Sequence, residues 1–455
     1  MRNLIRPAAV IAALFAIFLL TMRPAMAQSI LRDAETEALL NDMAAPIVAA
    51  SGLDPRNMEL VLINDSSINA FVAGGQAIYL HSGLLNAATD VTEVQGVIAH
   101  ELGHITGGHI IRFDEGLKAA TNITILSLLL GVAAAAAGGG EAAMGVIAAG
   151  QQAAMGRFLA FTRVQESSAD AAGAEYLSKA GISGRGSLEF FRKLQALEFR
   201  HGHSQSDDAT FSRTHPLTAD RIANLRETYE MDPAWNTPTD PVLQERFERV
   251  RAKLYGYLAR TELTLAAYPP SDTSVPARYA RAYAYHKDAL IAKALAETDA
   301  LIAKEPGNPY FLELKGQILL ESGRPTEALE TLREATRLTN NHPLIASIFG
   351  HALIATESAD HHDEATRVLR AAVARDRLNP FAWYQLGVIY SAAGDMPRAR
   401  LASAEQQAMR RNWREAFSSA QSAMAGLPEH TPDWLRAQDI AFQARAELER
   451  GGKRN

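Results

Sequence analysis

The chain of 455 residues contains no cysteine. That absence excludes disulfide scaffolds, thiol nucleophiles, Cys-ligated zinc and iron–sulfur clusters together. Any metal must sit on His, Asp or Glu. An excess of positive charge is also missing. Lys and Arg number 45 against 51 Asp and Glu, a formal charge of -6, so there is no global cationic field of the kind that gathers phosphate. No nucleic-acid partner is expected. With 47% apolar and 21% charged residues, the composition is that of a soluble globular protein, neither disordered nor polytopic. The length suggests about three domains.

What is present begins with an export signal. Arg2 and Arg6 precede an uncharged run from Ala8 to Thr21, shorter than the roughly 20 residues of a spanning helix. Ala25-Met26-Ala27 then offers small residues at the two positions a signal peptidase reads, which predicts a signal peptide over 1–27 and a mature chain from Gln28. With no cysteine there, lipid anchoring is excluded; the competing reading is an uncleaved N-terminal anchor. Loss of Arg2, Arg6 and Arg23, with no acid in the segment, takes the charge from -6 to -9.

Helical spacing runs from Ile30 to about Gly52, and Leu60–Ile63 and Ala77–Leu80 read as short strands. Val91 to Ile111 is periodic at 3.6, with Val97, Ile98, Leu102 and Ile105 as its apolar stripe. An Ala/Gly-rich stretch, 119–156, carries only Glu141 as a charge, and a further helix is expected from Arg163 to Ala180. A Pro-bearing segment from Pro233 to Pro241 ends the first domain. Beyond it, Pro309 to Pro343 and Gly316 to Gly350 are each 34 residues apart, the tetratricopeptide period. Pro343 to Pro380 and Gly350 to Gly387 are each 37, so a three-residue insertion is expected within Thr356–His362. Repeats of this type stack into a concave surface suited to polypeptide partners and do no chemistry. The expected divisions are a signal peptide at 1–27, a first domain at 28–232 holding a flap or hairpin at 119–156, a linker with a helix at 233–276, and a repeat domain at 277–455.

The chemistry resides in His100-Glu101-Leu102-Gly103-His104, an H-E-x-x-H pattern. On a helix, positions i and i+4 share a face, so the two imidazoles can share one metal. Zinc held by two imidazoles and a third protein ligand keeps a position open for water and brings its pKa to about 7. Glu101 is placed to take that water's proton. An H-x-x-G-x-x-H continuation fails by register, because Gly107 fits but position 110 is Ile110. The alternative is a carboxylate from a later helix. Glu166-Ser-Ser-Ala-Asp170 supplies two at i, i+4: Glu166 to complete a His2Glu set, and Asp170 to hydrogen-bond the far nitrogen of a ligand His.

At this point the chain resembles the M48 family of metallopeptidases with a tetratricopeptide extension. The resemblance rests on Asn69-Ala70-Phe71, Gly74-Gly75, Gly83-Leu84-Leu85, the H-E-x-x-H helix, Glu166 to Asp170 and Thr214-His215-Pro216-Leu217. It implies an α+β zincin-like metallopeptidase domain, mostly helical with a small sheet, followed by an all-α tetratricopeptide-repeat solenoid. It implies one zinc ion on His100, His104 and Glu166, Glu101 as base, and the strand around Ala77 to His81 as the sheet edge that pairs with an extended substrate. It also places His215 near the metal, as an inhibitory ligand or a transition-state stabiliser. The activity implied is a periplasmic zinc endopeptidase. It would act on unfolded or misassembled envelope proteins, with the repeats docking clients or the outer-membrane barrel assembly machinery. The alternative is a repeat-based chaperone or adaptor with a latent or structural zinc site.

Other signals are weaker. The 119–156 stretch is expected as a hairpin or flap in peripheral contact with a membrane, or as plain buried helices. His109 falls about 140° around a continuous helix from His104, which removes it as a third ligand and leaves packing or hydrogen bonding. Arg221 is expected to pair with Asp220 or Glu227, outside the site. His201, His203, His361 and His362 read as solvated loop residues.

Overall fold

Gly74 and Gly75 turn the chain at φ 65° and 108°, a left-handed conformation that side chains disfavour. They fold β3 (Ala70–Ala73) back on β4 (Ala77–His81) as an antiparallel hairpin pairing Ala73 with Ala77. The computed structural model describes residues 29–136, 140–201, 215 and 218–452; the expected signal peptide lies outside them. β4 then pairs in parallel with β2 (Glu59–Asn64), and β1 (Ser29–Leu31) runs antiparallel to β2's other side, giving the order β1-β2-β4-β3. β4 is therefore interior. Expecting Ala77 to His81 to be the sheet edge was an error, because the hairpin inserts β4 between β2 and β3. The edges are β1 and β3.

The helical pattern from Ile30 also starts later than its spacing suggests. Ile30 belongs to β1, and α1 (Ala34–Ser51) begins after Asp33, whose carboxylate accepts from Thr36 N at 2.7 Å. α1 buries Leu39, Leu40, Met43, Ile47 and Val48 in the core under the sheet. After a short α2 (Ser82–Ala87), α3 (Val91–Thr106) is capped by Asp90 and buried along its length to His104. Its apolar stripe of Val94, Val97, Ile98 and Leu102 joins that core. The chain breaks at Gly107-Gly108, with Gly108 at φ 64°, and restarts as α4 (His109–Ala136). α4 and α5 (Gly140–Lys179) pack on one another through the Ala/Gly-rich stretch, where Gly150 abuts Ser127. α6 (Arg185–His201) and α7 (Ala219–Glu230) close the first core with Leu188, Phe190, Phe191, Ile222 and Tyr229.

α8 (Pro241–Leu258) contributes Phe247, Val250 and Leu254 to the same core and also packs on α10 (Val275–Lys287), with α9 (Thr261–Ala267) between them in sequence. From α10 on, the chain is a stack of helix pairs: α10 with α11 (Ile291–Lys304), α12 (Pro309–Glu321) with α13 (Pro325–Leu338), α14 (Pro343–Ala355) with α15 (His362–Arg375), and α16 (Pro380–Ala392) with α17 (Met396–Met409). The tetratricopeptide register read from sequence holds. Pro309, Pro343 and Pro380 each open the first helix of a unit, where a missing N–H costs nothing. Gly316 and Gly350 are packed so closely that an added Cβ would meet Leu332 Cγ at 2.3 Å and Leu369 Cγ at 2.5 Å. The inserted residues form the turn through Glu357 (φ 56°) and a short 3-10 segment at Ala359–His361. α18 (Trp413–Gly426) and α19 (Pro432–Gly452) end the array, sharing a small core with Leu401 and Ala404 of α17.

The two halves meet at the start of α1. Ala34 packs with Leu312, Ala335 and Ile345 of the repeats, Lys253 of α8 bonds Asp33 and Glu35 at 2.7 Å each, and Tyr279 donates to Glu35 at 2.9 Å. Arg249 to Glu305 and Arg32 to Asp376 add ion pairs across the same junction.

Candidate active site

α3 and α5 cross where neither carries a side chain in the way. An added Cβ on Gly103 would meet Ala169 O at 2.6 Å, and one on Gly173 would meet the Ala99 backbone at 3.1 Å. This close crossing brings His100 and His104 on α3 against Glu166 and Asp170 on α5. His100 Nε2 lies 3.1 Å from His104 Nε2 and 3.4 Å from Glu166 Oε2, and His104 Nε2 lies 3.4 Å from Glu166 Oε1. His215 arrives from the segment before α7, with Nδ1 3.3 Å from His100 Nε2 and 3.1 Å from Glu166 Oε1. All four residues are buried, and their ligating atoms lie within 4.8 Å of one another.

The spacing fits a metal ion. A tetrahedral ion with bonds of about 2.0–2.1 Å needs ligand atoms roughly 3.3–3.4 Å apart, and the distances above are 3.1 to 3.4 Å. Two imidazole nitrogens facing one another at 3.1 Å beside a carboxylate are held together best by a shared cation. Without a metal, that cation is a proton. Burial opposes charge on His100, but Asp170 and Glu166 outweigh it and push its pKa up to about 10. His104 moves down, through burial and the neighbouring His100. Glu166 is held far below the usual carboxylate range, because hydrogen bonds from His100, His104 and His215 overcome its burial.

The outer contacts fix the ligand rings. His100 Nδ1 is 2.9 Å from Asp170 Oδ1, the contact expected of Asp170. Arg221 is a correction: it pairs with neither Asp220 nor Glu227. As the third residue of α7 it points into the site, with Nε 2.7 Å from Asp170 Oδ2 and Nη1 3.0 Å from Glu166 Oε2. Burial pushes the Asp170 pKa up, but hydrogen bonds and charge from Arg221 and His100 outweigh it and hold Asp170 below its ordinary value. Sequence reasoning missed Arg221 because its partners were sought along its own helix, whereas its spacing after His215 was the available signal.

A continuous helix would carry His109 away from His104, but the break at Gly107-Gly108 changes its direction. Its Nδ1 lies 2.9 Å from His104 Nδ1, so it is a hydrogen-bonding neighbour of His104. Among the described residues, the metal-capable group is His100, His104, Glu166 and His215. His361 and His362 are not part of it, and His203 and the side chain of His201 lie outside the described residues. Glu101 is 1% exposed, and its Oε1 makes no hydrogen bond, with His215 Nε2 at 3.5 Å. A buried, unsatisfied carboxylate oxygen is costly, and this one lies beside the metal-capable group.

Comparison with known proteins accords with this geometry. Residues 31–229 match peptidase family M48. The beta-barrel assembly-enhancing protease of Escherichia coli K12 is 26% identical over 395 residues, covering 84% of this chain and 78% of that protein. The metalloprotease LoiP of the same organism is 32% identical over 181 residues, 39% of this chain and 64% of that protein.

Proposed function

We propose, from the match of residues 31–229 to peptidase family M48, that the chain is a zinc-dependent endopeptidase of the bacterial periplasm. It degrades misfolded or stalled envelope and outer-membrane proteins. One observation carries the reading of the site: the Glu101 carboxylate, with an Oε1 that makes no hydrogen bond, is buried on the same helix as two imidazoles of the metal-capable group. His100, His104 and Glu166 would hold the zinc. When bound, the ion supplies Lewis acidity for the scissile carbonyl and lowers the pKa of water to about 7. Glu101 takes the proton of the attacking water and returns it to the leaving amine. Asp170 and His109 keep the two imidazoles turned, and Arg221 keeps Asp170 ionised while pairing with Glu166.

The substrate strand pairs with β3, the sheet edge that packs with α3; main-chain pairing there accepts many sequences, as a quality-control protease requires. Clients or the barrel assembly machinery dock through the repeats. The E. coli relative's name speaks of such assembly, and the match to it extends through both halves of this chain. The α4–α5 hairpin touches a membrane surface. In support, Ile125, Leu126, Leu129, Leu130, Met144 and Met155 are each at least half exposed, and no helix among the described residues is long and apolar enough to cross a bilayer. Flotation with liposomes tests that contact.

A second reading, a repeat-based chaperone with a latent or structural zinc site, draws on His215. With it the metal group has four protein ligands, the number of a closed site. We take His215 as a latch that leaves the open position to water when it moves away. Cleavage of a loosely folded protein by the purified chain, beside Glu101→Gln with metal content measured in both, separates the two readings.

A further inference from the structure

The sheet has a second edge. β1 pairs with β2 on one side, and no backbone hydrogen bond leaves its other side among the described residues. That free edge lines a cleft of about 490 Å³ together with the start of α1. The facing wall is made by α10, α12, α14 and α16, the first helices of successive repeat units, through Tyr283, Glu313, Ile348 and Phe381 among others. None of the metal-centre residues lines it. The cleft is therefore built by both halves of the chain: a strand edge on one side, the inner face of a repeat array on the other.

Its chemistry is uneven. Ile30 is 58% exposed and Phe381 is 41% exposed at its walls. Lys253 is shared by Asp33 and Glu35, so that trio carries one net negative charge. Arg32 also lines the cleft, but its charge is taken up by Glu37 and Asp376. Glu313 reaches the cleft from α12 with no hydrogen bond or ion pair among the described residues. Burial and the nearby Asp33 push it up to about 8. It is thus a carboxyl held neutral for want of a cation, beside an anionic trio whose single Lys is already shared.

We propose that this cleft is a second polypeptide-binding site, which takes an extended segment as a fifth strand on β1 and seats a basic side chain of that segment at Glu313. Strand addition supplies sequence-tolerant affinity through main-chain hydrogen bonds, while the pockets select alternate side chains. The basic group meets Glu313 and the residual charge of the Asp33–Lys253–Glu35 trio. Apolar neighbours two residues away meet Ile348 and Phe381. A client held here and at β3 is bound at both edges of one sheet, and the second contact becomes intramolecular. The proposal extends the reading of the chain as a protease of polypeptides, but its test reads no turnover, so either can fail alone.

The test uses the full chain with Glu101→Gln, which silences cleavage, and a fluorescein-labelled nonapeptide of alternating Thr and Val with a central Lys. Fluorescence anisotropy gives its affinity beside peptides with central norleucine or Glu. The expected result is binding about tenfold or more tighter for Lys than for Glu, the scale of one charge-assisted hydrogen bond. Glu313→Gln removes that preference and Glu313→Asp restores part of it, with unchanged circular dichroism in both variants. Hydrogen exchange on the same complexes shows new protection at residues 29–31. Equal affinities for the Lys and Glu peptides, protection confined to residues 70–73, or no saturable binding would each overturn the proposal.

Discussion

Gly103 of α3 and Ala169 of α5 touch across the helix crossing that assembles the metal group, so closely that one added Cβ would lie 2.8 Å from Ala169 Cα. Two members of the group flank this crossing: His104 follows Gly103 directly, and Glu166 lies three residues, about one turn, before Ala169. Gly103→Ala must therefore push α5 away from α3. Such overpacking costs about 1–3 kcal/mol, and displacing Glu166 should weaken metal binding beyond the loss of stability. Titration with a competing chelator, beside thermal unfolding, checks this. A variant that is destabilised but binds metal as before would detach the crossing from the site.

Arg221→Met removes the charge that sits between Glu166 and Asp170. Stripping one partner from a buried ion network costs about 3–5 kcal/mol, and the metal-free chain should show the full loss. The metal-loaded chain should lose less, because a bound cation compensates Glu166. Melting curves with and without zinc read the difference. Equal losses in both forms would mean that Arg221 serves packing alone.

His215→Ala should open the fourth position of the metal group. The expected result is several-fold faster cleavage of casein with one zinc still bound per chain in excess metal. Unchanged turnover with unchanged zinc retention would end the latch reading, and abolished turnover with zinc retained would make His215 a participant in the reaction.

Glu313 gives the junction a pH dependence of definite sign. Its folded pKa, about 8, stands above its ordinary value of 4.5, so the folded chain binds the extra proton between those limits. Stability is fully present below pH 4.5 and declines as pH rises toward 8. Glu313→Gln lacks that proton exchange. Relative to the parent it should gain in melting temperature between pH 5 and pH 8, and a constant difference across that range would contradict the assignment.

Much of this arrangement was legible because it follows from local spacing. The i, i+4 pair His100 and His104 lies on one helix face in any α-helix, and Pro and Gly landmarks repeating at 34 residues locate helix pairs before any contact is known. What escaped depends on chain direction set by single backbone positions or on partners far apart in sequence. Gly108 at φ 64° turns His109 back onto His104, which a count of 100° per residue cannot anticipate. The insertion of β4 between β2 and β3 is a pairing choice that alternation in each strand leaves open. Arg221 finds Asp170 across 51 residues, whereas the sequence offered nearer acids on its own helix.

The most direct test of the central claim is Glu101→Gln in the purified chain, with zinc content and cleavage of a loosely folded protein measured on the same samples. Zinc retained at the parent level with cleavage lost is the predicted result, because the substitution removes the proton acceptor and leaves His100, His104 and Glu166 in place. Cleavage that survives with zinc bound would contradict the assignment of Glu101 as the base, and with it the mechanism built on its buried oxygen that makes no hydrogen bond.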